Sequence, residues 1–217
     1  MKNNLIIAID GTAASGKGTL AKRISKEFEF AYLDTGKLYR LVAYIIIKDK
    51  INSNDINEVK NRFTNFNFED ISLKLSTLKS DEVGKMASLI AGYKELRDIL
   101  LKYQKEFAFK KHHNKKGVVL DGRDIGTVVL PEANLKFFVD ANVETRAERR
   151  WKELISLGQS TIKRNVLKDL RSRDERDSQR KHSPLIPASD AILLDTTNLS
   201  ADEVFSLAKK YIEDYLN

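Results

Sequence analysis

The sequence predicts an α/β protein: a five-stranded parallel sheet in three layers, covered by helices on both faces and interrupted by one insertion and one charged helical segment. Three observations carry this. Apolar runs at residues 5–10, 30–34, 118–121, 135–140 and 191–195 alternate with stretches of helical spacing, the pattern of a parallel sheet joined through helices. A glycine-rich loop follows the first run directly. The other polar clusters, at Thr35 and at Arg123-Asp124, also fall just after a strand, where α/β sheets bind ligands.

The first run, Leu5-Ile6-Ile7-Ala8-Ile9-Asp10, reads as a buried strand, and Gly11, Thr12, Ala13, Ala14, Ser15, Gly16, Lys17, Gly18 and Thr19 follow it. Gly11 and Gly16 let the backbone fold inward so that its N–H groups converge, and a helix opening at Lys17 adds the positive end of its dipole. Such a centre holds an anion. Lys17 is placed to reach the outer phosphates of a nucleoside triphosphate, and the Thr19 hydroxyl to meet a Mg²⁺ ion. The spacing is that of a Walker A loop with Gly18 added between the lysine and the threonine.

After the second run, Thr35 precedes a helical stretch that continues through residues 41–47. Its hydroxyl suits a helix cap, or half of a small anion site completed by Arg40 one turn further on. From about residue 49 to 116 the strand–helix alternation stops. Asn, Asp and Lys dominate residues 52–67, a short alternating segment follows near 68–75, and helical spacing returns near 81–91 and 93–109. This reads as an insertion packed on the core, and spacing alone makes Ser88 and Arg97 surface residues.

The alternation resumes with Val118-Val119-Leu120-Asp121 and then Gly122-Arg123-Asp124-Ile125-Gly126-Thr127; helices are expected at 144–157 and at 200–215, the last begun by a serine cap. Between Thr161 and His182 lie eight Lys or Arg and four Asp or Glu. A solvated helix face stitched by i,i+4 pairs has this composition. Yet Arg173, Asp177 and Arg180 share one face, Arg176 lies beside it, and Gly158 with Pro184 and Pro187 bracket the segment. An arginine-rich helix on hinges, facing a phosphate loop, reads as a lid over residues 158–187.

The chain of 217 residues has room for one domain and a sizeable core. With no cysteine it has no disulfide framework and no thiolate site. Without an apolar run of about 18 residues it is expected to be cytoplasmic, with no membrane partner. The formal charge of +7 implies a polyanionic partner, either nucleic acid or a nucleotide. Because the basic residues converge on the loop and the aromatics read as core, a nucleotide is expected and no nucleic acid. A monomer is the expected state, although no residue pattern decides it.

These motifs identify a family resemblance. Asp121-Gly122-Arg123-Asp124-Ile125-Gly126-Thr127-Val128-Val129 is the most specific piece, supported by Leu33-Asp34-Thr35-Gly36, Tyr39-Arg40, Arg173-Asp174-Glu175-Arg176-Asp177 and the Gly-Lys-Gly-Thr loop. Over residues 7–195 the chain resembles the bacterial cytidylate kinases, nucleoside monophosphate kinases of the P-loop class. The resemblance implies a three-layer P-loop kinase fold with an inserted nucleotide-binding subdomain (49–116) and a helical lid (158–187). It also implies transfer of the γ-phosphoryl group of Mg-ATP to CMP or dCMP.

Carried over by motif, Gly11 to Thr19 would hold the ATP phosphates, with Mg²⁺ as cofactor. Thr35, Arg40, Arg123 and Arg180 would grip the acceptor's phosphate and sugar, and Arg173 and Asp177 its ribose side. Ser88, Arg97 and Asp124 would read the base, Arg176 would reach the transferring group, and Arg146 and Arg150 would flank adenine. Relative to the family pattern Thr12 stands for proline, Ala14 for glycine and Thr35 for serine, and the insertion near residues 73–80 is shorter and more basic. A kinase of UMP, AMP or a metabolite, or an ATP-dependent nucleic-acid-binding protein, are the alternatives that the residues by themselves leave open.

Overall fold

A computed structural model describes residues 5–68, 75–78 and 80–217. Residues 69–74, and with them nearly all of the expected alternating segment near 68–75, lie outside the described residues, as do residues 73, 74 and 79 of the stretch near 73–80.

The five strands pair in parallel in the order β2-β3-β1-β4-β5. They are β1 (Leu5–Gly11), β2 (Ala31–Asp34), β3 (Gly117–Asp121), β4 (Leu135–Asp140) and β5 (Ile192–Asp195). β1 lies in the middle, with β2 and β3 on one side and β4 and β5 on the other. The chain therefore reverses its direction of travel beside β1, and the loops at the carboxyl ends there diverge and leave a crevice.

Alternation along each strand sorts the core into two layers. Ile7 and Ile9 face α1 (Lys17–Glu27) and α9 (Ala201–Leu216), packing with Leu20, Ile24, Val204 and Ile212. Ala8, Val118 and Leu120 face the opposite way, against Ala108 of α6 (Lys94–Phe109) and a short π-helical turn, Ile125–Val129. The Ser200 cap forms as a full capping box with Glu203.

Among the described residues, 49–116 contribute helices and no strand: α3 (Ile56–Phe63), α4 (Leu75–Leu78), α5 (Asp81–Ile90) and α6. With α2 (Thr35–Lys48) they enclose a separate apolar cluster around Leu41, Val42, Ile46, Phe63 and Ile90. Helix α3 falls in the Asn-, Asp- and Lys-rich stretch, where no element was expected. Asp55 caps it through the Asn57 and Glu58 amides, and Val59 and Phe63, one turn apart, bury its inner face. Two apolar residues sufficed, because the neighbouring helices supply the rest of the core.

Helices α7 (Val143–Ser156) and α8 (Lys163–Gln179) form a pair that closes over the glycine-rich loop, burying Ala13 with Ala147, Leu154, Val166 and Leu170. Gly158, in the turn between them, has φ 75°, a left-handed conformation in which glycine is unstrained.

Candidate functional site

The loop between β1 and α1 is shaped by three positive φ angles: Gly11 at 150°, Ala14 at 61° and Gly16 at 98°. Gly11 has no room for a side chain, since a Cβ there would sit 1.9 Å from the Val139 carbonyl oxygen. Ala14 adopts the left-handed conformation that its methyl group disfavours, so the loop bears strain at this residue. Thr12, at the position where the family pattern has proline, replaces a rigid ring with a hydrogen bond: its hydroxyl donates to Asp140 at 2.6 Å. The Lys17 ammonium curls back to the Thr12 carbonyl at 3.2 Å.

Gly18 has a spatial reason as well. A Cβ on it would press to 3.2 Å of the Asp121 carboxylate, which closes β3 beneath the loop and accepts the Tyr32 hydroxyl at 3.2 Å. Burial and the Arg123 guanidinium pull the Lys17 pKa down, with Asp121 opposing them; burial and Asp34 push the Asp121 carboxyl up, with Lys17 opposing them. The half-buried lysine and the buried Asp121 carboxylate thus act on each other at the centre of the site.

Across from the loop is a crevice of about 260 Å³. From the donor side it is lined by Ala13, Ala14, Lys17, Gly18 and Arg150; from α2 by Thr35 and Arg40; and from the insertion by Ser88 and Arg97. Arg123 and Asp124 after β3, and Arg173, Asp177 and Arg180 around α8, complete it. Thr35 does not cap α2: Asp34 does, through the Lys37 amide, while the Thr35 hydroxyl donates to the Asp121 carbonyl at 2.8 Å. Ser88 and Arg97, surface residues by spacing, are buried to 6% and 8% exposure, because α5 and α6 turn these faces to the crevice and not to water.

The cations here are restrained by one carboxylate. Asp177 is 3% exposed and accepts the Arg123 Nε–H at 2.9 Å, with Arg180 at 3.6 Å and Arg173 at 3.8 Å. Burial pushes its carboxyl up, but Arg123, Arg173 and Arg180 outweigh that and hold it below the usual carboxylate range. Burial, first, and neighbouring cations press Arg40 down to about 10 and Arg173 to about 9, which leaves both charged at neutral pH. Ser88 Oγ, Arg173 Nε and Arg180 Nη2 are buried without a hydrogen-bond partner. Of these, Arg173 Nε and Arg180 Nη2 face the Asp177 carboxylate just beyond hydrogen-bond distance, and Ser88 lines the crevice.

At the far end Arg97 and Asp124 form a buried ion pair, with Tyr39 against the guanidinium, the ring centre 5.7 Å away. Arg97 Nη1 also donates to the Ala91 carbonyl at 2.9 Å. Asp124 opens the π-helical turn that Asp10 anchors from below, its two carboxylate oxygens accepting the Ile125 and Gly126 amides, each at 2.7 Å. Burial pushes the Asp10 carboxyl up to about 6 against the pull of those two amides. Asp10 therefore joins the loop strand to the turn that follows Asp124, a link that its place at the end of an apolar run did not reveal.

Two expected residues, Arg146 and Arg176, and one that was not expected, Arg149, stand out by their placement. Arg146 lines neither the crevice nor the second hollow: it is buried behind the loop, donating to Ala141 O at 2.8 Å, Ala13 O at 3.3 Å and Asp174 at 2.7 Å. Its partners satisfy it, and it ties the loop to α8. Arg149, missed in the sequence, occupies the outer position instead. It bonds the Ser15 carbonyl and Thr196, and with Arg150, Ser15, Gly16 and Thr19 lines a second hollow of about 480 Å³ on the donor side. A signal existed, since Arg149 and Arg146 differ by three helix positions, but only the placement of α7 decides which faces the hollow. Arg176 is exposed and borders a third cavity, between α5 and α8, which shares Arg40, Ser88, Arg150 and Arg173 with the crevice.

Among the described residues no cluster of three or more His, Cys, Asp or Glu could hold a metal, and no helix is long and apolar enough to cross a membrane.

Comparison with known proteins sharpens the picture. The cytidylate kinase family model matches residues 7–214. The cytidylate kinase of Paramagnetospirillum magneticum is 47% identical over 94% of this chain and 95% of its own length, and that of Rhodospirillum rubrum 46% identical over 94% and 95%. Among solved structures, the shikimate kinase of Acinetobacter baumannii shares the fold at a TM-score of 0.50, with 15% identity over 99% of this chain and 94% of that one.

Proposed function

The chain belongs to the cytidylate kinase family, and from that premise we propose that its crevice transfers the γ-phosphoryl group of ATP to CMP or dCMP, giving ADP and CDP or dCDP. The observation that carries the proposal is the juxtaposition, in one crevice, of a phosphate loop at one end and the Arg97–Asp124 pair at the other, with an arginine cage between them. In this reading the donor's phosphates on the loop and the acceptor's phosphate in the arginine cage meet over Lys17.

The donor's phosphates lie on the loop amides of residues 11–19, with Lys17 leaving the Thr12 carbonyl to reach them. The acceptor's phosphate is gripped by Arg40, Arg123 and Arg180 beside Thr35, and its ribose by Arg173 and Asp177. Phosphoryl transfer asks mainly for in-line placement and neutralisation of the equatorial oxygens, which the lysine and arginines supply. No dedicated strong base is required for this transfer.

Cytosine offers an amino donor beside ring-nitrogen and carbonyl acceptors, which suits one carboxylate and one guanidinium. Uracil would set an acceptor against Asp124, a mispairing that costs about 1–3 kcal/mol. Thr19 lines the second hollow with one hydroxyl oxygen, and among the described residues no cluster of three His, Cys, Asp or Glu forms a cage, which fits Mg²⁺ held chiefly by the donor's phosphates. When bound, that ion neutralises charge on the phosphates.

Residues 158–187 act as a lid and 49–116 as the acceptor-side insertion, bridged by the Lys85–Asp169 ion pair at 3.0 Å. Closure carries Arg176 from its neighbouring cavity toward the transferring group and excludes water, whose attack would waste ATP. One coupled assay offering CMP, dCMP, UMP and AMP with Mg-ATP tests the reading. Turnover of the cytidine nucleotides well above the others is expected, and a preference for AMP or UMP overturns it.

A further inference from the structure

Residues 180–185 leave the end of α8 and run behind the base-side pair, and one of them is held in an unfavourable backbone conformation. Ser183 has φ 53° and is followed by Pro184. Positive φ is uncommon for a residue with a side chain, and a following proline pushes the backbone toward extended conformations, so Ser183 is disfavoured on two counts. Such outliers persist only where the surroundings over-determine them. Here the Leu185 amide donates to the Asp177 carbonyl at 2.7 Å and the Leu185 side chain is buried.

The result is that Ser183 Oγ accepts the Arg97 Nε–H at 3.1 Å. Arg97 is thereby held on three sides: by Ser183 at Nε, by the Ala91 carbonyl at Nη1 and by Asp124 at Nη2. The Ala91 carbonyl also receives Arg180 Nη1 at 3.4 Å, so the same short segment meets the base side twice. Ser183 does not line the crevice; it borders a hollow behind Arg97 and Asp124. Whatever it does, it does through Arg97.

We propose that Ser183 is a positioning residue for base discrimination: its hydroxyl fixes the plane of the Arg97 guanidinium against Asp124, and ties that setting to the segment that follows α8. A planar fork recognises a base edge by direction, so a guanidinium free to tilt about its Nε bond pairs less selectively. The inference rests on the cytidine reading given above.

The test compares wild type with Ser183→Ala and Ser183→Gly, measuring kcat and KM for CMP and for UMP together with thermal unfolding. Both variants lack the hydroxyl, and glycine relieves the backbone, so loss of the bond and loss of strain separate. The ratio of kcat/KM for CMP to that for UMP is expected to fall about fivefold in both variants, the scale of one hydrogen bond. A purely structural role would lower the melting temperature and leave the ratio unchanged, and an unchanged ratio overturns the proposal. A ratio lowered by alanine but restored by glycine assigns the effect to the backbone and also overturns it. A wild type that turns over neither pyrimidine overturns the cytidine reading and this inference together, whereas a CMP-preferring wild type with unselective variants supports both.

Discussion

On the donor side the anion site is backbone: residues 11–19 bend through three positive φ angles, and their amides and the α1 terminus supply the charge. On the acceptor side the charge is carried by side chains, with Arg40, Arg97, Arg123, Arg173 and Arg180 arriving from α2, α6, the turn after β3 and the region of α8. The first is continuous in sequence and rigid because the sheet core holds it. The second is assembled from distant elements and is held by Asp177 and Asp124. A loop of amides binds phosphate of any origin; a cage of side chains discriminates, because each member has a direction and a partner to lose.

The contrast is broken most severely at its meeting point. Lys17→Ala should lower kcat by about 10³-fold or more with little change in melting temperature, since burial already works against this ammonium. A folded variant turning over at near-normal rates would sink the donor assignment.

Asp177→Asn should disrupt the acceptor cage as a unit. Removing the one carboxylate among three arginines is expected to destabilise the fold by about 3 kcal/mol at neutral pH, read by urea unfolding. Because the folded pKa of Asp177 lies below its ordinary 3.8, its contribution is present above that value and is lost as pH falls through the folded pKa. The stability gap between wild type and variant should therefore close in acid, and a gap that persists there would show that charge is not its cause.

Arg176→Ala tests whether the two sides are joined by movement. A fall of about 10²-fold in kcat with an unchanged KM for CMP is expected of an arginine delivered on closure. Should only KM rise, Arg176 belongs to acceptor binding. Asp124→Asn acts on discrimination alone, lowering the CMP-to-UMP preference about tenfold in paired steady-state assays; unchanged selectivity refutes its base-reading role. The smallest effect is expected on the rigid side, where Ala14→Gly should relieve the left-handed strain and raise stability by about 0.5–1 kcal/mol in thermal unfolding. A destabilised variant would mean that Ala14 is held there without strain.

Much of this was legible in the sequence where the physics is local. Residues 11–19, the five strands and the Ser200 cap are specified by neighbours within a few positions: glycine at two of the loop's three positive φ angles, apolar runs where a strand is buried, serine where a helix starts. The i,i+4,i+7 relation of Arg173, Asp177 and Arg180 likewise placed three crevice residues on one face before any fold was drawn. What tertiary structure alone decided is the partner of each charged group. Helix geometry cannot distinguish Arg146 from Arg149 until α7 is docked, nor Ser88 and Arg97 from surface residues until the insertion closes over them. Asp10, Asp121 and Ser183 matter through contacts with residues more than 80 positions away, and a side chain's burial and pairing depend on what the fold brings near it.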